Sequence, residues 1–282
     1  MVLNNASDTF DIGGEMTVHR LGFGAMRITG ENIIGEPDDV ANAKKVLHES
    51  IARGVDLIDT ADSYGPAVSE RLIGEALAPY PDDLVVATKG GLLRNMAGEW
   101  KPNGDPDYLR NALLSSLDRL RVDTIDLYQL HRPDPHTPFE DSVHALAEMK
   151  DDGLIRHVGL SNVSVDQLET ARDIVEIATV QNRYNVGDRD FEAVLDACED
   201  ANIGFIPWFP LGAGDFEAKE NDVSAVATKH DATPQQVALA WLLQKSEVML
   251  PIPGTSSVSH LRDNIAASHL TLDEEDMTRL GE

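Results

Sequence analysis

The sequence predicts an α/β fold of the (β/α)8 or TIM barrel type with an N-terminal β-hairpin, and three observations carry that expectation. Short apolar segments of strand length alternate with segments of helical spacing along the chain, the order from which parallel sheets are built. Eight such strands can be assigned, and 282 residues without a Pro/Ser-rich linker or internal repeat suit one domain spanning residues 1–282. Three of the strands end in a titratable residue, Asp59, Lys89 and His131, just before a turn. A doubly wound open sheet is the competing arrangement.

Residues 9–12 and 15–18 around Gly13 and Gly14 read as the hairpin. Residues 20–26 form the first barrel strand, whose glycines permit close approach. Residues 38–53 place Val40, Ala43, Leu47 and Ile51 on one helical face, with Gly54 as C-cap. Residues 55–58 are strand two, interrupted by Asp56, and Asp59 ends it. Ser69 is expected to cap the next helix. Residues 84–89 are strand three, and residues 90–105, with Arg94, Asn95, Trp100 and Lys101, are a long excursion above the rim, where substrate walls are often built. Asp105 and Pro106 open a helix to Leu120. Strand four ends at His131, and a helix follows over 138–150. Residues 155–162 are strand five, and Ser164 with Gln167 forms a capping box. Strands at 178–184 and 203–212 follow, the first trailed by a helix over 190–200. A helix over 234–244, the eighth strand at 248–254 and an amphipathic helix over 273–280 complete the chain.

Asp and Glu outnumber Lys and Arg by 49 to 23, a formal net charge of -26, which disfavours nucleic acid and anionic membranes as partners. The same imbalance resembles proteins of salt-rich cytoplasm, because at molar salt a Debye length of about 3 Å screens self-repulsion. No apolar run reaches the roughly 18 to 20 residues of a membrane span. The first residues lack a signal peptide's basic start and apolar core, and Cys198 stands alone. The chain therefore reads as cytoplasmic, as a monomer or homo-oligomer. No metal site is assigned.

If strands two to four are neighbours in a parallel barrel, their ends share one rim, and Asp59, Lys89 and His131 converge there with Tyr64 from the loop after Asp59. At these four positions the chain resembles the aldo-keto reductase family. The resemblance implies a catalytic tetrad of Asp59, Tyr64, Lys89 and His131 in a nicotinamide-dependent reductase of small carbonyl compounds. In that mechanism Tyr64 protonates the carbonyl oxygen, Lys89 lowers the phenol's pKa, Asp59 holds Lys89, and His131 orients the carbonyl. Taken singly, these residues are better read as a structural ion pair, a core histidine and a surface aromatic, and only their convergence on one rim reverses that balance.

A GxGxxG fingerprint after the first clear strand is missing, so a nicotinamide cofactor has to lie across the barrel's rim. Ser161, Asn162 and Gln181, at or near strand ends, offer hydroxyl and amide groups for a carboxamide, and they match family positions with that role. The resemblance also places Ala25 and Met26 beside the nicotinamide ribose and Trp208 against the nicotinamide ring. Phe209, Pro210, Leu211 and Gly212 follow the pyrophosphate. Gly254, Thr255, Ser256, His260, Asp263 and Asn264 line the adenosine phosphate and adenine, in a form closer to potassium-channel beta subunits and bacterial relatives. Gly254 and His260 replace the Lys and Arg of the best-known pattern. Hydroxyls before a helix still suit a phosphate, so NADP(H) is expected, with NAD(H) as the alternative.

Two other functions fit the sequence: a barrel aldolase with Lys89 as Schiff-base lysine, and a non-enzymatic cofactor-sensing subunit. The chain also lacks the long C-terminal loop that narrows the pocket in many steroid and aldose reductases, which predicts an open site tolerant of varied aldehydes, ketones and sugars.

Overall fold

The computed structural model describes residues 2–3, 8–95, 97–212, 216 and 219–281. It opens with the hairpin β1 (Thr9–Ile12) and β2 (Met16–His19), in register from Thr9 opposite His19 to Ile12 opposite Met16. Gly13 and Gly14 turn it at φ +60° and +74°, where a Cβ is strained. The hairpin lies on the N-terminal ends of the barrel strands. His19 bonds both carboxylate oxygens of Asp56, through its backbone N–H at 2.9 Å and its Nδ1 at 2.6 Å. Asp56, the charge that interrupts strand two, thus fastens the hairpin to the barrel floor.

The elements then follow as β3 (Phe23–Gly24), α1 (Val40–Ala52), β4 (Leu57–Asp59), α2 (Val68–Leu77), β5 (Val85–Gly90), β6 (Leu92–Arg94), β7 (Trp100–Pro102) and α3 (Pro106–Leu120). After these come β8 (Ile125–Leu130), α4 (Phe139–Asp151), β9 (Ile155–Ser161), α5 (Val165–Arg172), β10 (Ile177–Gln181), α6 (Glu192–Ala201) and β11 (Gly204–Phe205). The last helices are α7 (Glu220–Lys229), α8 (Pro234–Lys245), α9 (Val258–Ala266) and α10 (Glu274–Leu280). Seven strands form one parallel sheet in the order β11, β10, β9, β8, β5, β4, β3.

The expected eighth strand is present as extended chain rather than as a regular ladder. Phe205 donates to the Val248 carbonyl at 2.8 Å and accepts from Leu250 at 2.8 Å. On its other side Gly22 donates to Pro251 at 3.0 Å and Gly24 to Pro253 at 3.4 Å. Pro251 and Pro253 have no N–H to give, so this segment accepts from β3 and cannot complete a ladder. It still bonds to both outer strands and closes the barrel.

Other differences have local causes. The first strand, expected over 20–26, ends at Gly24, and Ala25–Ile28 is a 3-10 turn. The seventh strand shortens to Gly204–Phe205 because Pro207 and Pro210 withhold donors and Phe209 turns away at φ 62°. Ser69 does not cap α2; Ala67 does, and Ser69 lies inside the helix, where it accepts from Thr60 Oγ1 at 2.7 Å and donates to the Ala25 carbonyl at 3.0 Å. The excursion over 90–105 contains the hairpin β6–β7, and α7 was not expected at all. Asp39, Asp105 and Ser164 cap α1, α3 and α5 through their side chains. Parallel strands covered on both faces are buried throughout, as β5 is, and no described helix is long and apolar enough to cross a membrane.

Candidate active site

The register brings the predicted strand-end residues onto one rim. Asp59 is the last residue of β4, and Lys89 projects from β5 to meet it, with Nζ 2.5 Å from Asp59 Oδ1 and 2.8 Å from the Thr60 carbonyl. Both side chains are withdrawn from solvent, at 0% and 2% exposure. Such a pair persists only when every remaining lone pair is satisfied. Asp59 Oδ2 accepts from Gln129 Nε2 at 3.0 Å and from Gln181 Nε2 at 2.9 Å. Gln129 was not singled out in the sequence. Its signal was an amide in the buried part of a largely apolar strand, two residues before His131 and so on the same strand face.

Tyr64 follows β4 in a tight turn, with its N–H donating to the Ala61 carbonyl at 3.2 Å. Its ring lies edge-on to His131, centroids 5.8 Å apart, and Lys89 Nζ is 5.3 Å from its centre. His131 directly follows β8; its N–H donates to the Gly90 carbonyl at 2.8 Å, and its Nδ1 lies 3.3 Å from Ser63 Oγ. Burial holds the Tyr64 phenol well above its ordinary pKa, reinforced by the Asp59 and Asp62 carboxylates. The sequence suggested the opposite direction. The reason is that the Lys89 charge is already paired with Asp59, leaving burial to dominate. His131 is pushed well below the usual imidazole value by burial, and then by the charges of Lys89 and Arg132. At neutral pH the rim therefore presents a protonated phenol and an uncharged imidazole.

A cavity of about 550 Å³ opens over these groups. Asp59, Tyr64, His131, Met26, Ser161, Asn162, Gln181, Trp208, Phe209, Pro210, Leu211 and Gly254 all line it. Leu92 and Trp100 of the β6–β7 hairpin supply a further wall, as expected, with Arg94 stacked 3.8 Å over the Trp100 ring and Trp100 tilted against His131 at 6.5 Å. Arg27, Arg132 and Gln235 also line it and were not foreseen. Lys89 stands behind the wall. Ala25 is fully buried, and its carbonyl receives the Ser69 hydroxyl. Gly212, Thr255, Ser256, His260, Asp263 and Asn264 lie outside this cavity, although Ser256 lines an adjoining one.

The amides meant for a carboxamide are partly committed to the rim itself. Asn162, at φ 59°, donates from Nδ2 to the His131 carbonyl at 3.1 Å and to Ser161 Oγ at 2.9 Å, while its Oδ1 accepts from Trp208 Nε1 at 3.1 Å. This lattice ties the ends of β8 and β9 to the indole and fixes its plane. Gln181 spends its amide nitrogen on Asp59. Near α9, Ser257 caps the helix, Thr255 Oγ1 accepts from the Ser257 N–H at 3.0 Å, and Asn42 Nδ2 holds the Ser256 carbonyl at 2.8 Å.

A model of the Aldo/keto reductase family matches residues 20–282. An uncharacterized oxidoreductase of Schizosaccharomyces pombe is 48% identical over 269 residues, covering 95% of this chain and 88% of that protein. Pyridoxine 4-dehydrogenase of Escherichia coli is 46% identical, covering 98% of each. The crystal structure of an aldo/keto reductase from Klebsiella pneumoniae in complex with NADP and acetate superposes with a TM-score of 0.82 at 25% identity, covering 97% of this chain and 94% of that one.

Proposed function

The chain belongs to the aldo/keto reductase family, and from that premise we propose that it reduces aldehydes and ketones by hydride transfer from NADP(H), with Tyr64 as the general acid. The observation that carries this reading is the convergence of the Tyr64 phenol and the His131 imidazole over a buried Lys89–Asp59 pair, with burial favouring the protonated phenol and the uncharged imidazole. A reductase needs a proton available where the carbonyl oxygen gains charge, and donors fixed beforehand stabilise that charge without reorganisation.

A nicotinamide nucleotide fits the donor set and the shape of the cavity. When bound it supplies hydride. Trp208 would take the ring on an indole plane already fixed by Asn162, with Ser161 offering a hydroxyl and the Oε1 of Gln181 an acceptor. A Cβ at Gly254 would stand 2.6 Å from the Gly24 carbonyl oxygen, so glycine at both positions lets the two segments close together along the edge of the cavity. His131 orients the carbonyl oxygen, and Tyr64 gives up its phenolic proton, which the nearby ammonium of Lys89 compensates in charge. Burial lowers the Lys89 pKa while Asp59 opposes that shift.

The Escherichia coli relative's name and the aromatic wall of Trp100 together make a pyridoxal-type aldehyde the first substrate to assay. The aldolase reading loses support because Lys89 is fully buried and bonded to Asp59 and Thr60, away from any carbonyl in the cavity. Tyr64→Phe tests the proposal. Turnover should fall by about 10² to 10⁴ while NADPH still quenches or shifts the tryptophan fluorescence. Unchanged turnover would remove Tyr64 from the role.

A further inference from the structure

We infer that Arg27 is the cation that selects the 2′-phosphate of NADP(H) over NAD(H), an inference that rests on the nucleotide reading above. Three observations converge on it. The first is charge: on a chain with 49 acidic and 23 basic residues, most arginines near the surface find a carboxylate. Arg27, exposed on the turn after β3, makes no ion pair among the described residues.

The second is space at residue 254. A Cβ there would stand 2.6 Å from the Gly24 carbonyl oxygen and 3.6 Å from Arg27 Cγ. The closed seam between β3 and residues 251–253 leaves no room for any side chain, so a lysine at 254 is excluded unless the backbone shifts. The aliphatic stem of Arg27 passes beside that empty position. A cation for this place has to come from a neighbouring segment, and Arg27, on the turn after β3, brings its Cγ within 3.6 Å of it.

The third is the cavity that Arg27 shares with Ser256. Arg27 and Ser256 line one polar cavity of about 800 Å³, which adjoins the main cavity through Met26, Arg27, Ile33 and Trp100. The other cations in this region are engaged. Arg94 donates to the Asn32 carbonyl at 3.0 Å and covers Trp100, and Arg262 pairs with Glu49 at 3.4 Å, a carboxylate that also holds Arg53. Glu31 is the acidic residue of this cavity's wall. A planar, permanently charged fork and a serine on the wall of one cavity suit a phosphate dianion.

The test is fluorescence titration of the full chain with NADPH and NADH, competed by 2′,5′-ADP or 5′-AMP. The wild type should bind NADPH more tightly than NADH. Arg27→Gln should weaken NADPH and 2′,5′-ADP by roughly ten- to a hundredfold and NADH by less than about twofold, and Arg27→Lys should fall between, keeping charge but losing the fork. Equal affinity for the two nucleotides in the wild type, or an equal loss of both in Arg27→Gln, overturns the inference while leaving the reductase reading intact. Failure to bind either nucleotide overturns both. The phosphate could also belong to the substrate, so turnover of pyridoxal is compared with that of its 5′-phosphate. An Arg27→Gln effect on the phosphorylated aldehyde alone, with NADPH affinity unchanged, assigns Arg27 to substrate and overturns the inference.

Discussion

Asp59→Asn removes one charge of a fully enclosed pair and changes almost no volume. Lys89 then keeps only the Thr60 carbonyl at 2.8 Å as a full acceptor. The asparagine amide also cannot satisfy both sides. If its oxygen faces Lys89, its NH2 confronts the donating amides of Gln129 and Gln181; if it is flipped, its NH2 confronts the ammonium. Breaking a buried pair by removing one partner costs about 3 to 5 kcal/mol. With an unfolding entropy of about 2.1 cal/mol/K per residue, a chain of 282 residues should lose about 5 to 8 °C in melting temperature at pH 7, read by calorimetry. An unpaired buried lysine is relieved by losing its proton, so the deficit should shrink as pH rises toward the unfolded-state lysine value near 10.4. Adding Lys89→Met should restore much of the lost stability, since it removes the buried charge that Asp59→Asn leaves uncompensated. A single variant melting within about 1 °C of wild type, or a double variant no better than the single one, would refute the claim that mutual charge compensation holds these two side chains in place.

Two further perturbations probe neighbouring features. Asp62, with Oδ1 buried and without a hydrogen-bond partner, has its carboxyl pKa pushed up to about 7 by burial and by the charge of Glu70. The folded value lies above the unfolded one, so the native state holds the extra proton between about 3.8 and 7, and stability from this group is lost as pH rises through that window. Asp62→Asn should therefore raise the melting temperature at pH 8 and leave it unchanged at pH 3.5; a gain of equal size at both pH values would contradict this. Gly24→Ala drives a Cβ to 2.5 Å from the Ile252 carbonyl oxygen in the barrel seam, and overpacking of this kind costs about 1 to 3 kcal/mol. Denaturant unfolding should show that loss, and wild-type stability would mean that the seam yields.

What could be seen in the sequence followed from one geometric fact: in a parallel barrel all strand C-termini face the same way. Asp59, Lys89 and His131, each ending an apolar run, had to share a rim once the barrel was granted, and Tyr64 followed from its place in the loop after Asp59. What could not be seen depended on contacts between distant segments. Gln129 drew no notice until the fold set it against Asp59. Asp56 looked like a flaw in a strand and proved to be the anchor of His19. Helix α7 buries only Val223, Val226 and Ala227, too few for a clear stripe, and the prolines of the last strand hid that it closes the barrel by accepting from β3.

The direction of the Tyr64 pKa illustrates the same limit at the level of chemistry. From residue types alone a lysine beside a tyrosine predicts a stabilised phenolate. The structure gives that lysine a closer partner, 2.5 Å away, and from the cavity the pair is nearly neutral as a whole. Burial then governs, and the phenol retains its proton in the absence of a developing charge. In the role proposed for Tyr64, an anion forming on a carbonyl oxygen would change the balance, because the new negative charge would draw on the ammonium behind the phenol in competition with Asp59 and make the phenolic proton easier to pass. The arrangement is thus inert toward solvent and responsive to a substrate that is accumulating charge, which is what preorganised electrostatics require of a reductase acid. Asp62 adds a bias against the phenolate, so its protonation near pH 7 couples the acid's readiness to the pH of the medium.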